Sequence, residues 1–369
     1  MKLKAHKVGQ DAWAKGVTIR FSLRPARFGA TGHVPAREPW SYLRYWIRAN
    51  SHHSTRVAAG VFLDQSESFA KAAQSASIDT APLLWYYSFL NLAKCYLAAS
   101  NKESIADLGN ARHGIGEPGG NAGGYLKLSK QKVSVWSKRD TKNNLQIFPA
   151  LCDALNTPLP VQPVSIKELL GRIVSIHQAY CTALAQTPRF FRCVRPSFRN
   201  AREPNGKSGD LWCRVSAEVS DRYASRLSYN NFRNLIESST PFRACTPIRG
   251  RNHTFETKAY GFSNKTFEKK LSEIKEKLAP CVHPLILPTE YRYYLYAGEV
   301  PRIHQAAAIY AFMFYLGSIV RYQPHRFDKL IQKKEQWVVA EFLKVCPKQF
   351  VMLMANEITA TDMAYVEGL

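Results

Sequence analysis

The chain has 369 residues, enough for one large domain or two ordinary ones, and 46% apolar side chains, which allows a sizeable core and excludes a disordered chain. It carries 51 basic residues against 28 acidic ones, a formal charge of +23. An excess of that size predicts a polyanionic partner, nucleic acid first and an anionic membrane surface second.

The charge is localised. Residues 1–56 hold eleven basic and two acidic side chains, and residues 181–270 hold seventeen and seven, so two segments carry nearly all the excess. The eight cysteines (95, 152, 181, 193, 213, 245, 281 and 346) form no CxxC pair, so a zinc site is not expected and the thiols read as reduced, in a cytoplasmic chain. The start, MKLKAHKVGQDAW, lacks the apolar run of a secretory signal, and the longest apolar stretch is too short for a membrane span.

In chain order, residues 1–38 form a basic N-terminal segment in which VTIRFSL (17–23) alternates like a short strand. Pro39 opens a helix whose Trp40, Leu43 and Ile47 share one face, beside a stripe of Arg44 and Arg48. A third helical pattern covers 57–73. Then PLLWYYSFLNLAKCYL (82–97), with Asp79 or Thr80 as N-cap, is apolar on every side and predicts a helix buried all round. Its polar members Ser88, Asn91 and Lys94 recur every third residue and are expected to share one stripe, where a lysine must find a partner or lose its charge.

The glycine-rich stretch 111–129 contains His113 but neither GxxxxGK[ST] nor a placed GxGxxG, so no nucleotide loop and no cofactor are expected. Residues 125–140 predict a hairpin, and 165–184 one helix opened by a Ser165/Glu168 capping box. The second basic segment places Arg189, Arg192, Arg195, Arg199 and Arg202 among Phe190, Phe191 and Phe198, and continues through Arg243, Arg249 and Arg251. Arginines interleaved with aromatics suit a groove that tracks phosphates and stacks bases. Residues 210–220 alternate as a strand, 266–280 read as a charged helix, and 302–320 form a second helix buried all round. Residues 336–358 supply the last helices.

Together these patterns predict an α+β, predominantly α-helical chain. Residues 39–110 and 301–369 build a helical core in which the two buried helices pack together, and 111–300 form a basic α/β middle region.

WSYLRYW, PLLWYYSFLNLAKCYL, His113-Gly114-Ile115 and SIVRYQP (318–324) resemble, in order, the motifs of the YaaC-like bacterial proteins. The resemblance implies a mostly helical cytoplasmic protein. It tilts toward a component of a bacterial antiviral defence system, with a protein partner from the same operon. Asn91, Lys94, His113, Arg321 and Tyr322 match its motifs. Physically, these residues could converge into one buried polar cluster, which either fixes helix register or holds an anion.

The sequence therefore points to a nucleic-acid-binding protein, DNA or RNA, with no secure catalytic motif. One alternative is a HEPN-like metal-independent ribonuclease using an Arg/His pair such as Arg48 with His53, or Arg321 with His325. Another is a non-enzymatic scaffold or sensor subunit. Sparse carboxylates and the lack of GxSxG disfavour a metal nuclease or a serine hydrolase.

Overall fold

The computed structural model describes residues 10–14, 17–23, 34–36, 39–117, 127–159, 163–202, 208–218, 229–245, 252–258, 266–288, 290–298, 303–331 and 335–365. The fold is α+β and predominantly helical. It divides into two compact units: Pro35–Pro188 with Pro301–Leu369, here the helical unit, and Met1–Val34 with Arg189–Val300, the sheet unit. Residues 111–188, grouped on sequence with the middle region, fall within the helical unit.

The helical unit contains α1 (Pro39–Asn50), α2 (His53–Ser75), α3 (Ala81–Ala99), α4 (Ile147–Ala154), α5 (Gln305–Tyr322) and α6 (Gln336–Thr359). Helix α3 is the buried stretch of the sequence, and it packs on α2, α4, α5 and α6. Its N-cap is Thr80, although the Thr80 side chain makes no capping bond. Phe89, fully buried, stacks on Phe350 of α6 with ring centroids 4.0 Å apart. Helix α5 comes close to α3 at Gly317, where a Cβ would stand 3.2 Å from Tyr86 Cβ and 3.3 Å from the Pro82 carbonyl. The two remote apolar helices thus pack together as the sequence predicts, and a small residue makes the approach possible.

Three local expectations are corrected. Residues 165–184 do not form one helix: Ile166–Leu170 ends at Gly171, and a second helix runs His177–Ala183. Ser165 is the N-cap of the first of these helices but makes no side-chain cap bond, and it also pairs as a strand with Lys132. Of the hairpin expected over 125–140, the described residues 127–140 form one strand, Lys132–Val135, held between Ile115–Gly116 and Val164–Ser165. Residues 336–358 form one helix, α6, which carries Pro347 in its interior.

The sheet unit is built on β1 (Gln10–Asp11), β2 (Phe190–Arg202), β3 (Ser208–Glu218), β4 (Phe242–Ala244), β5 (Asn252–Thr257), β6 (Val282–Leu287) and β7 (Glu290–Tyr296). The strand order is β4-β5-β3-β2-β7-β6, with β1 also pairing β2, and every pairing is antiparallel. Helices Tyr229–Ser239 and Phe267–Leu278 bury Phe232, Ile236, Leu271, Ile274 and Leu278 against one face, together with Phe191, Phe198, Val215, Phe255 and Leu295. Of the strand expected over 17–23, Val17–Thr18 pairs with Trp13–Ala14, and Ile19, Phe21 and Leu23 pack on this core.

Candidate functional site

Two groups of residues carry the sequence expectations, one in each unit. In the helical unit the organising element is α3. A repeat of three residues drifts about 60° backward per step on a 100° helix, so Ser88 lies roughly 120° from Lys94 and does not share its face. Ser88 instead faces α2, where Ser66 Oγ donates to its carbonyl at 2.8 Å. The residues that do share a stripe are Tyr87, Asn91 and Lys94, spaced four and three apart.

The side chains around that stripe form a connected set. Asn91 is buried and its amide donates to the Tyr87 carbonyl at 2.9 Å. The Tyr87 hydroxyl accepts from Arg321 Nη1 at 3.1 Å, and its ring stacks on Phe69. Arg321 stands exposed in the last turn of α5, its guanidinium carbon 5.0 Å from the exposed Tyr322 ring. Lys94 is half-buried, with Nζ 5.5 Å from the Phe62 ring centroid, and burial lowers its pKa from the ordinary value. Among the described residues, neither Lys94 nor Arg321 has a carboxylate partner.

His113 completes the group. The Phe148 N–H donates to its carbonyl, and the neighbouring Arg112 N–H and carbonyl bond to Leu145 and Ile147. The next residue is Gly114, with φ +75°, where a Cβ would meet Pro149 Cδ at 2.5 Å. This pinning sets the imidazole so that Nδ1 lies 2.5 Å from the Tyr86 hydroxyl. Burial, with Tyr310 adding, pushes the Tyr86 pKa well above its ordinary value, so Tyr86 keeps its proton and can donate it. With Tyr86 as the donor, Nδ1 accepts and the His113 proton sits on Nε2. The packed side of His113 lowers its pKa, and the charges of Lys94 and Arg321 lower it further. Asn91, Lys94, His113, Arg321 and Tyr322 are thus brought together, but as a half-open cluster rather than a buried one. Sequence reasoning missed Tyr86 and Tyr87, whose aromatic rings read as core while their hydroxyls are polar handles.

The remaining candidates of this unit behave differently. Arg44 is engaged by Asp64 at 2.8 Å and Glu67 at 2.6 Å, so it ties α1 to α2. Arg48 is exposed at the end of α1. His53 is exposed at the start of α2, and His52 caps that helix through Nδ1.

In the sheet unit, β2 contains a bulge. Val194 pairs with Ser216 and Ser197 with Arg214, so three steps on β2 match two on β3, and Arg195 takes φ +50°. The extra residue reverses the alternation. Arg192 and Arg199, which an unbroken strand would place on opposite faces, therefore share the face away from the two helices. Register adds Arg214 of β3, Arg243 of β4, and Arg292 and Tyr294 of β7 to that face.

Most of these cations already have acceptors. Arg199 pairs with Asp11 at 2.7 Å, Arg214 with Glu256 at 2.6 Å, Arg292 with Glu290 at 2.7 Å, and Arg192 loosely with Glu218 at 3.6 Å. Arg243 Nη1 donates to the carbonyls of Glu237, Thr240 and Phe242 and so caps the preceding helix. Arg189 is exposed and reaches the Tyr296 hydroxyl at 3.4 Å. Arg195 is exposed at the bulge. The Arg202 side chain, Arg249 and Arg251 lie outside the described residues. Phe191 and Phe198 belong to the core, which leaves Phe190 and Tyr294 as the half-buried aromatics of the outer face.

With both groups in place, comparison with known proteins assigns the family. The family model for YaaC-like protein matches residues 34–358. The chain belongs to the YaaC-like protein family. No curated protein matches it. No solved structure matches it either. The match in this YaaC-like chain spans α1 through α6 and the whole of the sheet apart from β1. No described helix is long and apolar enough to cross a membrane.

Proposed function

We propose that this YaaC-like protein binds nucleic acid through the arginine-bearing face of its sheet unit. The observation that carries the reading is the β2 bulge, which turns Arg192 and Arg199 to the same side as Arg214, Arg243 and Arg292. A row of guanidinium groups across neighbouring antiparallel strands, with Tyr294 opposite Arg192, suits a phosphate backbone with an occasional stacked base. The internal ion pairs temper this. Each phosphate engaged at Arg199 or Arg214 displaces a carboxylate, so affinity comes chiefly from the exposed Arg189, Arg192 and Arg195. A reduced cytoplasmic setting belongs to the same reading and is supported by the eight buried free thiols. So does service within a bacterial antiviral defence system, the expectation carried by the family resemblance.

The test is fluorescence anisotropy with labelled single-stranded and duplex oligonucleotides over a salt series. Binding should weaken steeply with salt, and each lost phosphate contact should flatten the log–log slope by about 0.7 on single strands and about 0.9 on duplex. Arg192→Gln and Arg195→Gln should each weaken binding, and Glu218→Gln, which frees Arg192, should tighten it. Absence of binding at low salt rejects the reading.

A further inference from the structure

The cluster on α3 of the helical unit calls for a different ligand. Lys94 and Arg321 are two basic side chains with no carboxylate partner among the described residues, and both stand near enough to His113 for their charges to act on it. A lysine held half-buried without a counter-charge is unfavourable unless something supplies one. The contact with Phe62 compensates only in part.

Lys94 holds its ammonium 5.5 Å from the Phe62 ring centroid, and its charge and that of Arg321 both act on the His113 imidazole. Arg321 is already anchored at Tyr87 and retains further N–H donors for a ligand. His113 is held through Tyr86 and the 112–114 segment, and with Nδ1 accepting from Tyr86 it has Nε2–H left to donate.

We propose that Lys94, Arg321 and His113 form a binding site for the phosphate-monoester group of a small ligand. Two basic side chains match a dianion better than a carboxylate or a phosphodiester, and a dianion would hold the Lys94 proton in place. The combination of an ammonium, a planar guanidinium and a neutral imidazole N–H supplies donors from three directions to a tetrahedral oxyanion. The sheet-face reading does not depend on this site, since every residue named lies in the helical unit.

The experiment is a thermal-shift and calorimetric titration of the whole chain with inorganic phosphate, against sodium acetate and sodium chloride at matched ionic strength. The wild type should show a saturable rise in melting temperature with phosphate alone. Arg321→Gln, at an exposed position outside the core, should weaken phosphate at least tenfold, as should Lys94→Gln. Arg48→Gln should leave it unchanged, and circular dichroism verifies that each variant is folded. Arg321→Lys, which keeps the charge but loses the fork, should recover part of the affinity. Oligonucleotide binding by Arg321→Gln should match that of the wild type. A wild type without a saturable phosphate response, an equal response to acetate, or undiminished affinity in both Arg321→Gln and Lys94→Gln overturns the assignment. Loss of oligonucleotide binding in Arg321→Gln also overturns it, because the cluster would then belong to a nucleic-acid surface.

Discussion

Gly114→Ala is the sharpest test of how the helical unit fixes His113. Gly114 sits at φ +75°, a left-handed conformation that costs an L-residue roughly 1–2 kcal/mol. The added methyl would also stand 2.5 Å from Pro149 Cδ and 2.8 Å from Gln146 Cβ. Both belong to the start of α4, which backbone bonds from Arg112, Ile147 and Phe148 hold against the 112–114 segment. Neither neighbour is the free end of a flexible side chain, so relief requires the segment to move, an overpacking cost of about 1–3 kcal/mol. The two terms share part of the same relaxation, which places the expected loss at about 2–4 kcal/mol. Urea denaturation followed by circular dichroism measures it through the midpoint at constant m-value. The strain acts on the peptide next to His113, so the Tyr86–His113 bond should lengthen and the imidazole resonances should shift in NMR spectra. A stability change below about 1 kcal/mol together with unchanged His113 resonances refutes the claim that this glycine positions the imidazole.

Phe89→Ala removes a fully buried ring from its stack on Phe350 and should cost about 3–5 kcal/mol in the same denaturation assay. A loss under about 1.5 kcal/mol would mean that α3 is not the centre of the helical core. Asp107 offers a pH test. Hydrogen bonds from Arg139 and then Ser104 hold its carboxyl down at about 2, below the ordinary 3.8. A group lowered on folding adds stability above its unfolded pKa and loses it as the pH falls through the folded value. The Asp107 contribution should therefore be complete at neutral pH and disappear between roughly pH 4 and pH 2. Asp107→Asn should flatten that limb of a melting-temperature profile, and an unaltered limb would show that the pairing with Arg139 is not kept in solution.

The parts of the fold that could be read from sequence are those governed by local patterning. The run 82–97 is apolar on all sides, and so is 305–319, and burial all round leaves a helix no other way to be satisfied. Thr266 was legible as a helix boundary, and its Oγ1 accepts from the Lys269 N–H. Ser165 presents the same signal and does open the helix Ile166–Leu170, but without a side-chain cap bond. The bulge at Arg195 leaves no mark in composition. Nothing local says that a non-glycine residue will take a positive φ there, yet this one residue decides which arginines of β2 share a face.

Net charge is the sequence signal that promised most about function, and long-range pairing is what it could not foresee. Asp11 meets Arg199 across 188 residues, Glu256 meets Arg214 across 42, and Asp64 and Glu67 meet Arg44 across 20 and 23. Counting lysines and arginines treats each as available, whereas an ion pair with internal hydrogen bonds has already spent its field locally. The informative cations are then the few that folding leaves without an internal partner. On that criterion Arg44 is a clamp between helices, while Lys94, the single basic residue of a helix that is otherwise core, is the better candidate for recognition. An isolated charge kept in such a stretch costs stability, a cost the Phe62 ring reduces and a bound anion would reduce further.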